Sequence, residues 1–141
     1  MRVVRSILAL LAGCLAAGVL TAVCESLGHL AFPPPPGTDM SSHEAIARNM
    51  DKIPRAAMAA VVLGWAIGTC AGAAVAAWLA PRAPRAHGLV VGLVMLGLGL
   101  FTMIVIPHPL WFWVAALVLT PLAAWLGLTL GAAKNRPPVA N

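Results

Sequence analysis

Four long stretches of apolar residues dominate the chain, and short polar or proline-containing segments separate them. The stretches cover about residues 6–32, 55–80, 88–106 and 110–133. Each is close to or longer than the roughly 20 residues that a helix needs to cross a bilayer core of about 30 Å. Because a backbone in lipid has to hydrogen-bond within its own segment, the stretches predict four transmembrane helices. Prolines follow three of them and interrupt helical hydrogen bonding there: Pro33, Pro81 and Pro107.

The segment between the first two stretches, residues 33–54, predicts one further helical element. Ser41 and Glu44 have the spacing of a capping box. Three apolar residues then recur at helical spacing: Ile46, Met50 and Ile53. A short amphipathic helix in this loop would lie on the outer membrane surface, pack as a lid on the bundle ends, or gate a site below it. The predicted fold is therefore all-α, a single membrane domain over residues 1–141 with four helices in an antiparallel bundle.

Composition places the chain in the membrane class and removes one class of partner. It is 61% hydrophobic and 9% charged, whereas a soluble domain carries about 25% charged residues. The net charge of +5 comes without the interleaved aromatic and basic residues that stack on bases, so no nucleic-acid partner is expected. The expected partners are the lipid bilayer and either a second copy of the chain or another membrane protein.

The basic residues predict how the chain is oriented. Six of them fall on one side of the membrane if the chain crosses four times: Arg2, Arg5, Arg82, Arg85, Lys134 and Arg136. The positive-inside rule then places both termini in the cytoplasm. The loop over residues 33–54 and the turn over residues 107–109 would face outward.

A processing signal competes with this reading of the first stretch. Residues 11–14, Leu-Ala-Gly-Cys, match the lipobox pattern of bacterial lipoproteins, in which Cys14 would become the modified first residue. A lipoprotein normally becomes polar after this cysteine, but this chain stays apolar to Phe32. We therefore expect an uncleaved helix, which an intact-mass measurement would distinguish from the processed form.

Small residues four positions apart predict how the helices pack. They let helix backbones approach closely in a membrane, where the hydrophobic effect does not drive helix association. The second stretch carries Ala60, Gly64, Gly68, Gly72 and Ala76, and the first carries Ala9, Gly13 and Ala17. The predicted packing residues are Gly13, Gly64, Gly68 and Gly72. Trp65 and Trp125 lie well inside their stretches and are expected to pack within the bundle.

Glu25 is the only acidic residue inside the four stretches, and His29 follows it by about one helical turn. An ionisable residue at membrane depth is unfavourable unless it is paired, so it marks a candidate functional site. Thr21, Glu25 and His29 share a helix face that continues the row of small residues and should face the bundle. His108 lies in the outward turn, so Glu25, His29 and His108 are expected to converge near the outer surface.

Three roles fit this polar cluster. In a structural role, Glu25 pairs with His29 or Arg55, or with backbone groups freed by the proline turns. In a metal site, Glu25, His29 and His108 bind zinc or iron, for which two imidazoles and a carboxylate are suitable ligands; no ligand-dense motif accompanies them. In the third role, Glu25 binds a small molecule or a cation in exchange for a proton. Enzyme chemistry on a lipid or quinone is a further possibility that no motif supports.

Two segments carry a resemblance to known proteins. Residues 25–37 read Glu-Ser-Leu-Gly-His-Leu-Ala-Phe, four prolines and a glycine, and residues 106–113 read Ile-Pro-His-Pro-Leu-Trp-Phe-Trp. With these motifs the chain resembles a family of small, uncharacterised four-helix bacterial inner-membrane proteins. The resemblance implies the architecture and the bacterial inner membrane as location, and it implies no activity or functional residues.

The chain also resembles the small multidrug-resistance transporters in length, in helix number and in having one glutamate in the first helix. It departs from them because Glu25 lies near the outer end of that helix and because the first outer loop is long. The sequence therefore favours a non-enzymatic binding or accessory factor with an outward cluster of Glu25, His29 and His108. The alternative is a small proton- or metal-linked transporter, dimeric, that uses Glu25.

Overall fold

In a computed structural model of the protein, which describes residues 1–135, the chain is helical and forms no strands within that range. The elements are α1 (Arg2–Ala31), α2 (His43–Arg48), a 3-10 turn (Met50–Lys52), α3 (Arg55–Leu79), α4 (Pro84–Val105) and α5 (Leu110–Lys134). By length and composition, α1, α3, α4 and α5 are each able to cross a membrane. Arg136, one of the six basic residues used to predict the orientation, lies outside the described residues.

The helix limits follow the apolar stretches closely except at the starts of α1 and α4, each of which begins about four residues before its stretch. Helix α1 begins at Arg2, and α4 begins at Pro84, whereas its apolar stretch begins at about Gly88. Proline suits the first turn of a helix because its φ angle is preset and its missing N–H is not needed there. Ala83 just before it has a left-handed backbone with a φ angle of 44°. Hydropathy alone missed this turn, since Arg85 and His87 make it polar.

Helix α3 is the centre of the bundle and contacts each of the other three long helices. Helices α4 and α5 also pack on each other, whereas α1 and α4 meet over a smaller region. The contacts follow opposite directions along α1 and α3. Gly13, early in α1, lies against Gly72 and Ala76, late in α3, whereas Gly28, late in α1, lies against Ala60, early in α3. We call the end of the bundle that contains Arg2 and Arg5 the arginine end, and the opposite end the Glu25 end.

Small residues bring α1 and α3 into backbone contact. A Cβ atom built on Gly72 would lie 2.5 Å from the Gly13 carbonyl oxygen and 2.6 Å from Ala17 Cβ. A Cβ on Gly64 would lie 2.9 Å from Cys24 Cβ, and one on Gly68 would overlap Thr21 Oγ1. Each distance is shorter than an ordinary contact between carbon atoms, about 3.5–4.0 Å. The predicted packing glycines therefore all lie where a side chain would push α1 away from α3.

At the Glu25 end, large side chains pack where α3, α4 and α5 meet. They form one buried cluster: Met58, Val62, Trp65, Met103, Phe112 and Ala116. Bulky residues hold helix backbones further apart than glycine and alanine do. The two cavities that Glu25 lines lie at this end.

The outer surface of the bundle is apolar, as expected for a protein in contact with lipid. Large exposed hydrophobic residues occur along all four long helices. Trp65 is 8% exposed, which confirms that it packs inside the bundle. The same prediction for Trp125 is wrong: it is 64% exposed on α5. Its position within an apolar stretch could not distinguish the bundle-facing side of the helix from the outer side.

The short helix α2 is capped by Ser42 and not by the predicted Ser41. Ser42 Oγ accepts a hydrogen bond from Ala45 N at 3.1 Å, while Ser41 donates its hydroxyl to Asp39 Oδ1 at 2.6 Å. Glu44 forms an exposed ion pair with Arg48 at 3.9 Å in place of the expected capping box. The two adjacent serines have the same capping chemistry, so the sequence pattern was one residue out of register.

Candidate functional site

Glu25 is half-buried on α1, and its side chain bonds to a tryptophan. Trp65 Nε1 on α3 donates a hydrogen bond of 2.7 Å to Glu25 Oε1. This length is at the short end of the ordinary range for N–H···O hydrogen bonds. The two residues are 40 positions apart in the chain, so the packing of α1 on α3 creates the pair.

The partners predicted for Glu25 were wrong. His29 Nδ1 donates to the backbone carbonyl oxygen of Glu25 at 2.7 Å and leaves the carboxylate free of the imidazole. Arg55 is exposed at the start of α3. Within residues 1–135 the one ion pair is that between Glu44 and Arg48. Glu25 is thus held by a neutral donor rather than by a cation.

The sequence could have indicated that Glu25 lies near Trp65, but only after the register between α1 and α3 had been assigned. Matching the two rows of small residues brings Gly13 to Ala76, Ala17 to Gly72 and Thr21 to Gly68, as the structure has them. Continuing the same register by one more turn brings Glu25 to Gly64, the neighbour of Trp65. The glutamate could have been assigned to this part of α3, although the register alone does not say that the indole turns toward it.

A small cavity of about 140 Å³ brings the three predicted site residues together. Glu25, His29 and His108 all line it, with Trp65 and Phe112 between them. The ring of Trp65 meets Phe112 edge-on at 5.5 Å, and Phe112 stacks on His108 at 4.1 Å. A continuous row of aromatic rings therefore leads from the Glu25 carboxylate to the turn before α5.

His108 is fixed by this stack and by its own turn. Its Nδ1 donates to the Ile106 carbonyl oxygen at 2.6 Å. Burial lowers the pKa of the His108 imidazole, against the opposing effect of the Ile106 hydrogen bond. Burial acts in this direction because the charged form loses more hydration than the neutral one. His108 is therefore a neutral stacking residue at the end of the small cavity.

A large cavity of about 470 Å³ lies on the other side of Glu25, between α1 and α4. These helices touch near the arginine end, where Val91 packs against Ala17, and the cavity separates them beyond that point. Its α1 wall includes Thr21 and Glu25, and its α4 wall is mostly apolar. Val94 and Leu98 on that wall are also exposed on the outer surface of the bundle. The cavity therefore reaches the surface that faces lipid.

Helix α2 and the turn after it cover both cavities. Ile46 lines both of them, His43 lines the large one, and Met50 and Ile53 line the small one. The apolar residues that the sequence predicts on one face, Ile46, Met50 and Ile53, thus line the cavities. Both a lid on the bundle end and a gate over the Glu25 site would have this contact.

The three polar side chains do not form a ready metal site. In the part of the chain that the structure describes, no group of three or more histidine, cysteine, aspartate or glutamate side chains is arranged to hold a metal ion. His29 and His108 each use Nδ1 on a backbone carbonyl. What the site offers chemically is the Glu25 carboxylate, which also lines the mostly apolar large cavity; the volume of that cavity, about 470 Å³, lies within the range of about 300–1,000 Å³ typical of small-molecule sites.

No protein-family model, curated protein or solved structure matches this chain. The four long apolar helices, packed as a helical bundle, are compatible with a multi-pass integral membrane protein.

Proposed function

We propose that the protein is an integral protein of a bacterial inner membrane, an antiparallel four-helix bundle with both termini in the cytoplasm. The opposed contacts of α1 and α3 support the antiparallel arrangement. One cavity lined by Arg2, Arg5, Pro81 and Asn135 supports the grouping of both chain ends with the α3–α4 loop. The excess of basic residues at that end supports the orientation. The motifs at residues 25–37 and 106–113 support membership of the family of small four-helix bacterial membrane proteins.

Within this architecture, we propose that the protein is a non-enzymatic binding factor for a hydrophobic ligand that carries a positive charge. The observation that carries the proposal is the state of Glu25. Its carboxylate lies at the junction of two cavities and bonds to a neutral indole. Among the described residues no cationic side chain forms an ion pair with it. A charge in a membrane is normally paired, and a cationic ligand would supply that partner.

The mostly apolar walls of the large cavity suit the hydrophobic part of such a ligand. Met95, Leu98 and Ile106 line it on the α4 side, and Trp65 closes it toward α3. Apolar contact with these residues would hold the body of the ligand, and the carboxylate would fix the charged group. Aromatic rings also attract cations over their faces, which adds to the role of Trp65. The opening beside Val94 gives a route from the bilayer.

The experiment uses tetraphenylphosphonium, a lipophilic cation, and triphenylphosphine oxide, a neutral molecule of related shape. Titration calorimetry on purified protein in mild detergent would measure both affinities. Glu25→Gln is expected to weaken cation binding roughly tenfold or more, because the attraction between opposite unit charges about 7 Å apart is worth about 2 kcal/mol at an effective dielectric constant of about 20. Binding of the neutral molecule should change little.

Glu44→Gln is the matched control. It removes the same charge from the exposed side of α2 and should leave cation affinity unchanged. Equal weakening by both variants, or equal affinity of the wild type for the cation and the neutral molecule, would reject a cation site at Glu25. A Glu25→Gln protein that binds the cation normally and only melts at a lower temperature would assign Glu25 to the structural role.

A transporter is the second candidate, and one observation favours it. Glu25 lines both the cavity that reaches the lipid-facing surface and the cavity that leads to His108. A carboxylate that lines two cavities can exchange a proton for a cation during transport. Proteoliposomes with an imposed pH gradient should then accumulate labelled tetraphenylphosphonium in a Glu25-dependent way. Binding without gradient-driven uptake would leave the binding factor as the function.

A further inference from the structure

A third cavity, at the arginine end, has chemistry opposite to that of the Glu25 site. It measures about 390 Å³ and is lined by Arg2 and Arg5 of α1, by the last residues of α3 and the following turn, and by Asn135. Arg2 and Arg5 are three positions apart on one helix, so both side chains leave the same face. Two guanidinium groups thus border one cavity.

Among the described residues, this end of the bundle carries no acidic side chain to neutralise its basic ones. The four acidic residues of the chain are Glu25, Asp39, Glu44 and Asp51. The nearest along α1, Glu25, is about 30 Å from Arg5 at 1.5 Å of rise per residue. Arg82, Arg85 and Lys134 also belong to this end, which therefore has five described cations and no acid. A bound anion would balance part of this positive charge.

The walls of the cavity are held by specific contacts rather than by loose side chains. Asn135 Nδ2 donates to the carbonyl oxygens of Ala77 and Ala80, at 3.2 and 2.8 Å, and so ties the end of α5 to the end of α3. Lys134 Nζ lies 4.6 Å from the ring centre of Trp78, which also lines the cavity. These contacts fix the wall that faces the two arginines.

The surface next to the arginines suits an acyl chain. Val3, Val4, Ile7 and Leu8 alternate with Arg2 and Arg5 in the first turns of α1, and all four are exposed. Trp78 is half-exposed, as is usual for a tryptophan at the boundary between headgroups and hydrocarbon. An anion bound here would sit at headgroup depth with apolar protein surface directly beside it.

We propose that this cavity binds the phosphate group of an anionic glycerophospholipid, with an acyl chain along the exposed apolar face of α1. A guanidinium group can form two parallel hydrogen bonds to phosphate oxygens. Two arginines on one helix face allow this geometry at a single phosphate. Basic pockets at the ends of membrane helices are suited to such headgroups. The site is independent of the ligand proposed for Glu25.

The test measures lipid retained by the purified protein with native mass spectrometry. Dioleoyl-phosphatidylglycerol, dioleoyl-phosphatidylcholine and soluble glycerol 3-phosphate are the three probes. Wild-type protein should retain phosphatidylglycerol at least roughly tenfold better than phosphatidylcholine, because each nearby basic residue contributes to anionic-lipid binding. Glycerol 3-phosphate should not displace the lipid at equal concentration, since it lacks the acyl chains.

Two double variants remove the same charge from different places. Arg2→Gln with Arg5→Gln should abolish the preference for phosphatidylglycerol, whereas Arg82→Gln with Arg85→Gln should preserve it within about twofold, because these residues do not line the cavity. If both pairs reduce retention equally, the effect is diffuse charge and the site does not exist. Efficient displacement by glycerol 3-phosphate would overturn the lipid assignment in favour of a free-anion site.

The double variant Arg2→Lys with Arg5→Lys is the control for the case in which the glutamine pair does not insert correctly into the membrane. Lysine keeps the charge that orients the helix but does not bind phosphate with two parallel bonds. Retention of phosphatidylglycerol by this variant should fall between those of the wild type and the glutamine pair. Retention equal to the wild type would contradict a site built on guanidinium geometry.

Discussion

Replacing Gly72 by alanine should destabilise the bundle by forcing α1 away from α3. The new methyl group would lie 2.5 Å from the Gly13 carbonyl oxygen and 2.6 Å from Ala17 Cβ. Reaching ordinary contact distances of about 3.5–4.0 Å requires a local displacement of about 1 Å. Both obstructing atoms belong to the backbone or to a Cβ, so a change of side-chain rotamer cannot relieve the overlap. Overpacking of this kind costs about 1–3 kcal/mol.

Gly97→Ala is the matched control for Gly72→Ala. A Cβ on Gly97 would meet nothing within 4 Å. Both substitutions gain the same intrinsic preference of alanine for helix, up to about 1 kcal/mol. The difference between the two variants therefore isolates the overlap, and we expect Gly72→Ala to be less stable than Gly97→Ala by about 1–3 kcal/mol.

The free energy of unfolding can be measured by circular dichroism in mixed micelles of mild detergent and dodecyl sulfate. A difference between the two variants of less than about 0.5 kcal/mol, the usual error of such comparisons, would refute close backbone packing at Gly72. Gly72→Ala should also weaken tetraphenylphosphonium binding, because moving α1 changes the distance between Glu25 and Trp65. Unchanged binding in a clearly destabilised variant would show that the displacement stays local to the glycine.

Two further predictions concern the Glu25 end. In a double-mutant cycle of Glu25→Leu and Trp65→Phe, the coupling free energy should be about 0.5–2 kcal/mol, the range expected for a side-chain hydrogen bond within a membrane protein or to a charged group; coupling near zero would mean that the 2.7 Å bond adds nothing to stability. The lowered pKa of His108 means that the unfolded chain binds more protons than the folded one below the ordinary histidine pKa of about 6.5, so stability should fall as the pH drops through that value. The melting temperature of His108→Gln should fall less between about pH 7.5 and pH 5 than that of the wild type, and parallel curves would exclude His108 as the source.

Much of the fold was predictable because its determinants are local. A helix in lipid satisfies its backbone within itself, so length and hydropathy were enough to find four long helices and most of their limits. The rows of small residues identified the contact faces of α1 and α3 for a similar reason, since spacing along one helix defines a face. Where two adjacent residues had the same capping chemistry, as at Ser41 and Ser42, the predicted N-cap residue was the wrong one.

The candidate site was predictable only in part. An acid inside an apolar stretch stands out in any sequence, and the placement of Glu25, His29 and His108 near one another follows from helix order. The hydrogen-bond partner of Glu25 does not follow from helix order. The choice between His29, Arg55 and Trp65 depends on the register between α1 and α3, which brings together two residues that are 40 positions apart. The exposure of Trp125 was missed for a related reason: its stretch is apolar on every side.

The sequence by itself determined which segments are helical, which faces pack closely and where a single carboxylate lies in an apolar environment. Only the tertiary structure decided that Trp65 holds this carboxylate and that cavities lie on both sides of it. The physical reason is that side-chain volume differs between the helix interfaces. Glycine and alanine let α1 and α3 touch along their length, whereas bulky residues such as Trp65 and Phe112 pack where α3 meets α4 and α5. Whether α1 and α4 then close or leave a cavity depends on the combined volume of side chains from several helices, which no local pattern records.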